Sequence, residues 1–446
     1  MKGAVQVFRD PVRLIPLLFA TAILIGTLLL SLPFATADGA GAPFITALFT
    51  STSAVAVTGL IVVDTPTYWS MFGQITILAL FQIGGFGIMT AATLFGLIAG
   101  RGFGLRDRMA TQVERSRLET GDAASVLKLV FAITVAVEGI VALILTARFA
   151  ISHDVPVLQA VWHGVFHSVS AFNNAGFSTF SDSVIGYQSD PVVLGPIMLA
   201  VILTALGFPV MQDLRANRLR WRQWSLHTKI TVFGTVVLLA IGFVAILAME
   251  WSNDGSLGPM AIGSKILNAA FHSVMPRTAG FNSLDVGALR KETLMVNYLL
   301  MFIGGGSAGT AGGIKITTFF VLFAIVASEI MGRRDAGLFQ RRFSQGIERQ
   351  ALTVTVLAGA IVFAATAYIL AVTSLDLEDV LFETISAFST VGLSTGITAQ
   401  LPPDALIVLS VLMFIGRVGT ITVATALALG GRGRQFRYPE ENPIVG

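Results

Sequence analysis

The chain has no cysteine in 446 residues, which excludes a disulfide framework, a thiolate metal site and a thiol nucleophile. Charge is scarce as well. Only 12% of residues are Asp, Glu, Lys or Arg, against about a quarter in soluble domains. No serine, histidine and acid arrangement suggests hydrolysis, and no carboxylate pair suggests acid–base catalysis, so nothing here reads as an enzyme. What fills the space is apolar: 54% of residues are hydrophobic and the mean hydropathy is +0.78. Runs such as 14–32 and 230–249 reach the roughly 20 residues that cross a bilayer as helix. Their length excludes an outer-membrane barrel, whose strands alternate over about 10 residues. The chain is an integral membrane protein. Its first apolar run exceeds a signal-peptide core, and Pro33-Phe34-Ala35-Thr36 is a poor cleavage site, so that run is expected as a retained span. The pI near 9.3 reflects basic loops, and nothing suggests nucleic acid.

The apolar runs and their breaks read as one unit written four times: a span, a short segment, a glycine-containing loop and a second span. The first spans cover about 14–33, 124–149, 229–250 and 350–373, and the second about 70–99, 191–212, 293–331 and 404–429. Between them lie short segments at about 43–53, 157–171, 262–274 and 378–389. These are too short to cross, which suggests re-entrant helices. Such backbone is tolerated at membrane depth only where it is buried in protein or lines an aqueous path. The expected fold is all-α: eight transmembrane helices and four re-entrant pore helices around a central pore. The units run approximately 10–100, 118–212, 227–331 and 349–430, with 431–446 as a cytoplasmic tail.

The four loops align through their glycines. Val57-Thr58-Gly59, Asn174-Ala175-Gly176, Thr278-Ala279-Gly280 and Thr390-Val391-Gly392 end equivalent stretches. Phe49, Phe166 and Phe382 stand ten positions before their glycine and Phe271 nine, so the third unit is one residue short, around Met275-Pro276-Arg277. A short helix would aim its C-terminal end, about half a negative charge, at each loop. Loop carbonyls would then replace the hydration shell of a cation, as in carbonyl filters. Glycine suits a backbone turned so that its carbonyl faces the axis. One such glycine could be an ordinary turn; four in register argue for a filter.

Most of the 29 Lys and Arg fall in alternate connections: before the first span, at 101–128, 215–229 and 333–349, and after 431. By the positive-inside rule those connections and both termini face the cytoplasm. The opposite side carries Asp38, Asp64, Asp154, Asp182, Asp190, Asp254, Asp285, Asp376, Glu378 and Asp379. An acidic mouth of that kind would raise local cation concentration, although each acid alone reads as ordinary loop charge.

A second stretch stands out, Gly304-Gly305-Gly306-Ser307-Ala308-Gly309-Thr310-Ala311-Gly312-Gly313. It formally contains GxGxxG, but no strand precedes it, both flanks are apolar and no Gly-Lys-Ser/Thr follows, which argues against a phosphate loop. Residues 293–331 as one helix would be about 58 Å long, against a hydrocarbon core of about 30 Å. The helix is therefore expected to break there, and the loop is expected to gate the pore rather than merely allow close packing. Lys315 and Arg417 are charges inside apolar segments, which are functional by default. Arg417 replaces the second glycine of the Ile83-Gly84-Gly85 pattern and is expected to hydrogen-bond the loop or to act as a barrier to cations. Lys315 could do likewise or snorkel to the interface. His163 and His167, at i and i+4, lack a third ligand; His272 aligns with His167. Glu138 reads as a buried hydrogen-bonding acid more readily than as a second ion site.

These residues carry a resemblance. Val57-Thr58-Gly59-Leu60, Asn173-Asn174-Ala175-Gly176-Phe177, Pro276-Arg277-Thr278-Ala279-Gly280-Phe281-Asn282-Ser283 and Thr390-Val391-Gly392-Leu393 resemble the Trk/Ktr/HKT superfamily of cation transporters over nearly the whole chain. The first unit begins almost at the N-terminus, without the leading helices of the Trk branch. With Arg437-Tyr438-Pro439, this is most similar to the membrane subunit of the bacterial Ktr branch. The resemblance implies potassium uptake across the bacterial cytoplasmic membrane, often sodium-dependent, through a pseudo-fourfold pore in each protomer of a homodimer. It also implies a cytosolic ring of RCK subunits, which bind the nucleotide; this chain shows no such site. K+ is then the transported ion, Na+ an activator or co-ion, and no organic cofactor is called for. Carried over, the filter is Val57–Gly59, Asn174–Gly176, Thr278–Gly280 and Thr390–Gly392, the gating loop is Gly304–Gly313, and the pore arginine is Arg417. Thr-Val-Gly occurs once and Gly-Tyr-Gly not at all, so strict preference for potassium over sodium is not implied. An alternating-access symporter coupled to sodium or protons is the runner-up. All four units keep one orientation, which favours a channel-like pore.

Overall fold

The computed structural model describes residues 11–99, 123–218, 220–307, 309–333 and 335–419. Ala308, the first ten residues and the expected tail at 431–446 lie outside the described residues. Helix dominates. Helix α1 (Pro11–Leu30) is followed by the 12-residue α2 (Phe44–Val55) and by α3 (Met71–Ala99). Then come α4 (Ala123–Ser152), the 17-residue α5 (Val157–Asn173), α6 (Pro191–Ala205) and α7 (Phe208–Asn217). Helix α8 (Leu226–Glu250) precedes the 13-residue α9 (Ile262–Val274), α10 (Lys291–Phe302) and α11 (Ile316–Ile330). A hairpin of β1 (Gly337–Leu338) and β2 (Arg341–Arg342) leads to α12 (Gln345–Val372), the 13-residue α13 (Leu377–Ser389) and α14 (Pro403–Val418). The span expected over 404–429 is described only to residue 419.

Long and short helices bury different faces. The long helices turn large apolar side chains outward, including Leu143, Ile151 and Phe363, each more than 70% exposed. An outer surface of that kind belongs in hydrocarbon rather than water. Among the described residues, 130–152, 226–250 and 345–372 are long and apolar enough to cross a membrane, and the bent pair α6 and α7 makes a fourth if counted as one span. The short helices are central instead. Every residue of 49–55, 166–173 and 382–389 is buried. The aligned Phe49, Phe166, Phe271 and Phe382 are at most 1% exposed and anchor each short helix in the core.

Two helices are broken. The break expected within 293–331 falls between Phe302 and Ile316. The single span expected over 191–212 is not found: α6 and α7 meet at a 92° bend. Gly207 takes φ +88°, and a β-carbon there would lie 2.4 Å from the Ser307 carbonyl oxygen. The glycine thus supplies both the turn and the space that the 304–313 loop occupies.

Candidate functional site

The four aligned loops share one backbone pattern. Val57, Asn174, Thr278 and Thr390 take positive φ (56°, 59°, 74° and 50°), and so does the glycine two residues on (91°, 69°, 72° and 93°). Positive φ costs a non-glycine residue about 1–2 kcal/mol and is least tolerated by β-branched ones such as Val57, Thr278 and Thr390. Alternating the sign of φ along a loop turns successive carbonyls to one side, as a carbonyl-lined filter requires.

The loops close into a ring. A β-carbon on Gly59 would lie 2.4 Å from the Ala175 carbonyl oxygen, and one on Gly176 2.9 Å from that of Ala279. The series continues with Gly280 and the Val391 oxygen at 2.5 Å, and closes with Gly392 and the Thr58 oxygen at 2.0 Å. Each loop therefore lies against the next in chain order and the fourth against the first. Glycine is needed for the approach as well as for φ.

The short helices hold this ring from behind. The amides of Thr58, Ala175 and Val391 donate to the carbonyls of Ser53, Ser170 and Ser386 at 2.8, 2.7 and 2.8 Å. The same serines add their hydroxyls: Ser53 and Ser386 accept from Gly59 and Gly392 N–H, and Ser170 donates to the Phe177 carbonyl. The third loop differs. Its Ala279 and Gly280 amides both reach Met275 O, at 3.0 and 3.4 Å, and Met275 stands four residues past Phe271, where the other units have their serine. A methionine there leaves this loop without the hydroxyl.

The loop 304–313, described except for Ala308, reaches from the bend between α6 and α7 to the C-terminal end of α13. Its neck is closed by Gly304 N–H donating to Ile314 O (2.8 Å) and Ile316 N–H to Gly305 O (3.0 Å). On one side Gly306 N–H donates to Ala205 O, at the bend between α6 and α7. On the other, a β-carbon on Gly312 would fall 2.1 Å from Thr390 Oγ1 and 2.7 Å from Ser389 O. Three cations grip it. Arg417, 5% exposed, donates to the Thr310 carbonyl and, at 3.2 Å, to that of Gly84. Lys315 Nζ turns back to Ala311 O at 2.5 Å instead of reaching for the interface. Arg277, 3% exposed, makes long bonds to Thr235 O (3.4 Å) and Gly304 O (3.5 Å). Among the described residues none of the three forms an ion pair. A cavity of about 450 Å³ lies alongside, lined by Ser307, Gly313, Lys315, Thr317 and Gly416.

Read from the sequence, Arg277 belongs only to a motif, and the three serines and Glu383 have no assigned role. Counting back from the aligned glycines would have found the serines, six positions before in three units. Glu383 stands nine before Gly392 and His167 nine before Gly176. Each reaches the serine two residues past its glycine: Glu383 accepts from Ser394 Oγ, and His167 Nε2 meets Ser178 Oγ at 2.9 Å. His163 bonds Thr179, and His272 meets Asn297. Among the described residues, Oε1 of the span residue Glu138 is buried without a partner. Several of the acids expected at a mouth are engaged in tying loops: Asp64 accepts from Thr67 and Ser181, and Glu378 pairs with Lys291. Burial pushes the Asp190 carboxyl up, but the bonds from Arg148, His153 and Val192 N–H outweigh it and hold the group below its usual range.

A family model described as TrkH, cation transport protein, matches residues 16–433. The chain belongs to this family. Members transport cations, so this TrkH-family chain is a transport protein and not an enzyme. It is similar to the Ktr system potassium uptake protein B of Bacillus subtilis (strain 168), at 39% identity over 98% of this chain and 97% of that one. The potassium/sodium uptake protein NtpJ of Enterococcus hirae is 35% identical over 100% of this chain and 99% of its own. The solved structure of the potassium transporter TrkH from Vibrio parahaemolyticus has a TM-score of 0.75, covering 95% of this chain and 85% of that chain at 19% identity. The TrkH-family fold is common to both.

Proposed function

We propose that this chain carries potassium ions into a bacterial cell across the cytoplasmic membrane, through a gated, channel-like pore. The observation that carries the reading is the closed ring in which each glycine faces the carbonyl of the next loop. In it Val57–Gly59, Asn174–Gly176, Thr278–Gly280 and Thr390–Gly392 coordinate a dehydrated cation, helped by four short-helix C-termini. The loop 304–313 is the gate, held shut across the path by Arg417 and Lys315. These buried cations oppose a permeating ion until the loop moves. The four units at 10–100, 118–212, 227–331 and 349–430 supply eight spans and four pore helices, with both termini cytoplasmic. Sodium acts as activator or co-ion, in line with the name of the Enterococcus hirae relative. The working assembly is a homodimer on a nucleotide-binding cytosolic RCK ring, in line with the Ktr system membership of other relatives.

A second reading, alternating access, draws on the two broken helices, α6–α7 and α10–α11, since such breaks build the sites of secondary transporters. Rubidium uptake in a potassium-uptake-deficient bacterium, with and without sodium, separates the two. The pore reading expects uptake that follows the membrane potential and does not saturate at low millimolar ion. Saturating uptake at a constant ratio to sodium would favour the second reading, and no uptake above the empty strain would reject both.

A further inference from the structure

The third unit departs from the others at three connected points. Its loop is one residue short, its ring segment lacks the serine that supports the other three, and its second helix opens into the crossing loop. Arg277 stands where these meet. Its backbone immediately precedes Thr278-Ala279-Gly280, and its guanidinium reaches the carbonyl of Gly304, the first residue of the crossing loop. It is 3% exposed, its two bonds are long, and among the described residues Nε has no partner. A buried guanidinium with five donors and two weak bonds is expensive to keep. As packing alone, an apolar side chain would serve better. Its geometry suits a group that trades partners when the loop root moves.

We infer that Arg277 is a positioning residue coupling the third quarter of the ring to the crossing loop, so that an ion in the ring and the closed loop influence one another. The inference rests on the ion-pathway reading above. The coupling is direct: a shift of Thr278–Gly280 on ion entry moves the Arg277 backbone, and its guanidinium carries that shift to Gly304. The first, second and fourth loops are pinned by their serines, and the fourth meets the crossing loop through Thr390 at Gly312 instead of through a charged side chain. By reciprocity, closing the loop changes the ring's affinity for its ion by the same factor.

The absence of cysteine makes the test clean. Ser307→Cys places the sole thiol on the crossing loop, beside the 450 Å³ cavity. In the full-length chain in inside-out vesicles, its rate of modification by an impermeant thiol reagent is measured with potassium and with N-methylglucamine. With Arg277 present, potassium changes the rate by about fivefold or more, the lower end of ordinary site-to-site coupling. In Arg277→Gln the two rates converge, and Arg277→Lys keeps part of the difference. If Arg277→Gln does not fold, Arg277→Lys carries the comparison. Equal potassium effects with and without Arg277, or no effect in either, overturn the inference. A merely structural arginine would alter yield and leave the potassium dependence intact. Rubidium uptake by the unsubstituted chain reads the ion pathway separately: uptake without an Arg277-dependent effect rejects the coupling alone, and no uptake rejects both.

Discussion

Gly392→Ala is the sharpest perturbation of the ring. The new β-carbon would lie 2.0 Å from the Thr58 carbonyl oxygen, where real contacts essentially never fall below 3.0 Å. One side must therefore move by about 1 Å, and neither is a flexible side chain: both are backbone. A shift of that size removes a carbonyl from any coordination shell it belongs to. The φ of +93° lies beyond the small left-handed region open to alanine, adding at least the 1–2 kcal/mol of a left-handed residue. Gly176→Ala is milder, with a contact of 2.9 Å and φ +69°. The four positions therefore rank by contact distance, with Gly392 the most sensitive, Gly59 and Gly280 next at 2.4 and 2.5 Å, and Gly176 the least. Rubidium uptake and the rubidium-to-sodium ratio, normalised to the folded protein in the membrane, should follow that order. Gly392→Ala should lose at least tenfold, a change of about 1.4 kcal/mol. Wild-type uptake by Gly392→Ala, or a larger loss at Gly176 than at Gly392, would refute the ring as the ion's path.

Two further outcomes follow from single groups. Arg417→Gln removes the guanidinium bonds to Thr310 and Gly84 and should raise resting uptake severalfold; unchanged flux would exclude Arg417 from the gate. Asp190→Asn should lower stability at neutral pH by about 1–3 kcal/mol, the range for a buried group losing its partners. Because the folded carboxyl titrates below its unfolded value of about 3.9, its contribution is complete above that pH and is lost as pH falls through the folded value. The gap in thermal unfolding between Asp190→Asn and the parent should close below about pH 4; a gap constant to pH 3 would contradict this.

Much was legible without coordinates, for reasons that are local. The membrane class follows from hydropathy, because hydrocarbon rewards apolar side chains whatever their neighbours. The break in 293–331 follows from the length a bilayer allows. The positive φ at Gly59, Gly176, Gly280 and Gly392 follows from the need for a residue without a β-carbon. The bend at Leu206–Gly207 was not legible: Gly207-Phe208-Pro209 sits in a run apolar enough to read as one span, and the loop that needs the space comes from residues about a hundred positions later. Arg417 announced itself as a buried charge expected to bond the 304–313 loop, and it does so at Thr310; its second partner was not legible, since Gly84 is 333 residues away. Arg277 was read only as part of a motif, because its burial against Thr235 and Gly304 depends on how α8 and α10 pack. What the sequence determined was which residues need an apolar medium, a left-handed turn or a partner for their charge. Tertiary structure alone decided which carbonyl each glycine and each arginine faces, because those pairings are set by packing between distant segments and not by any residue's own preference.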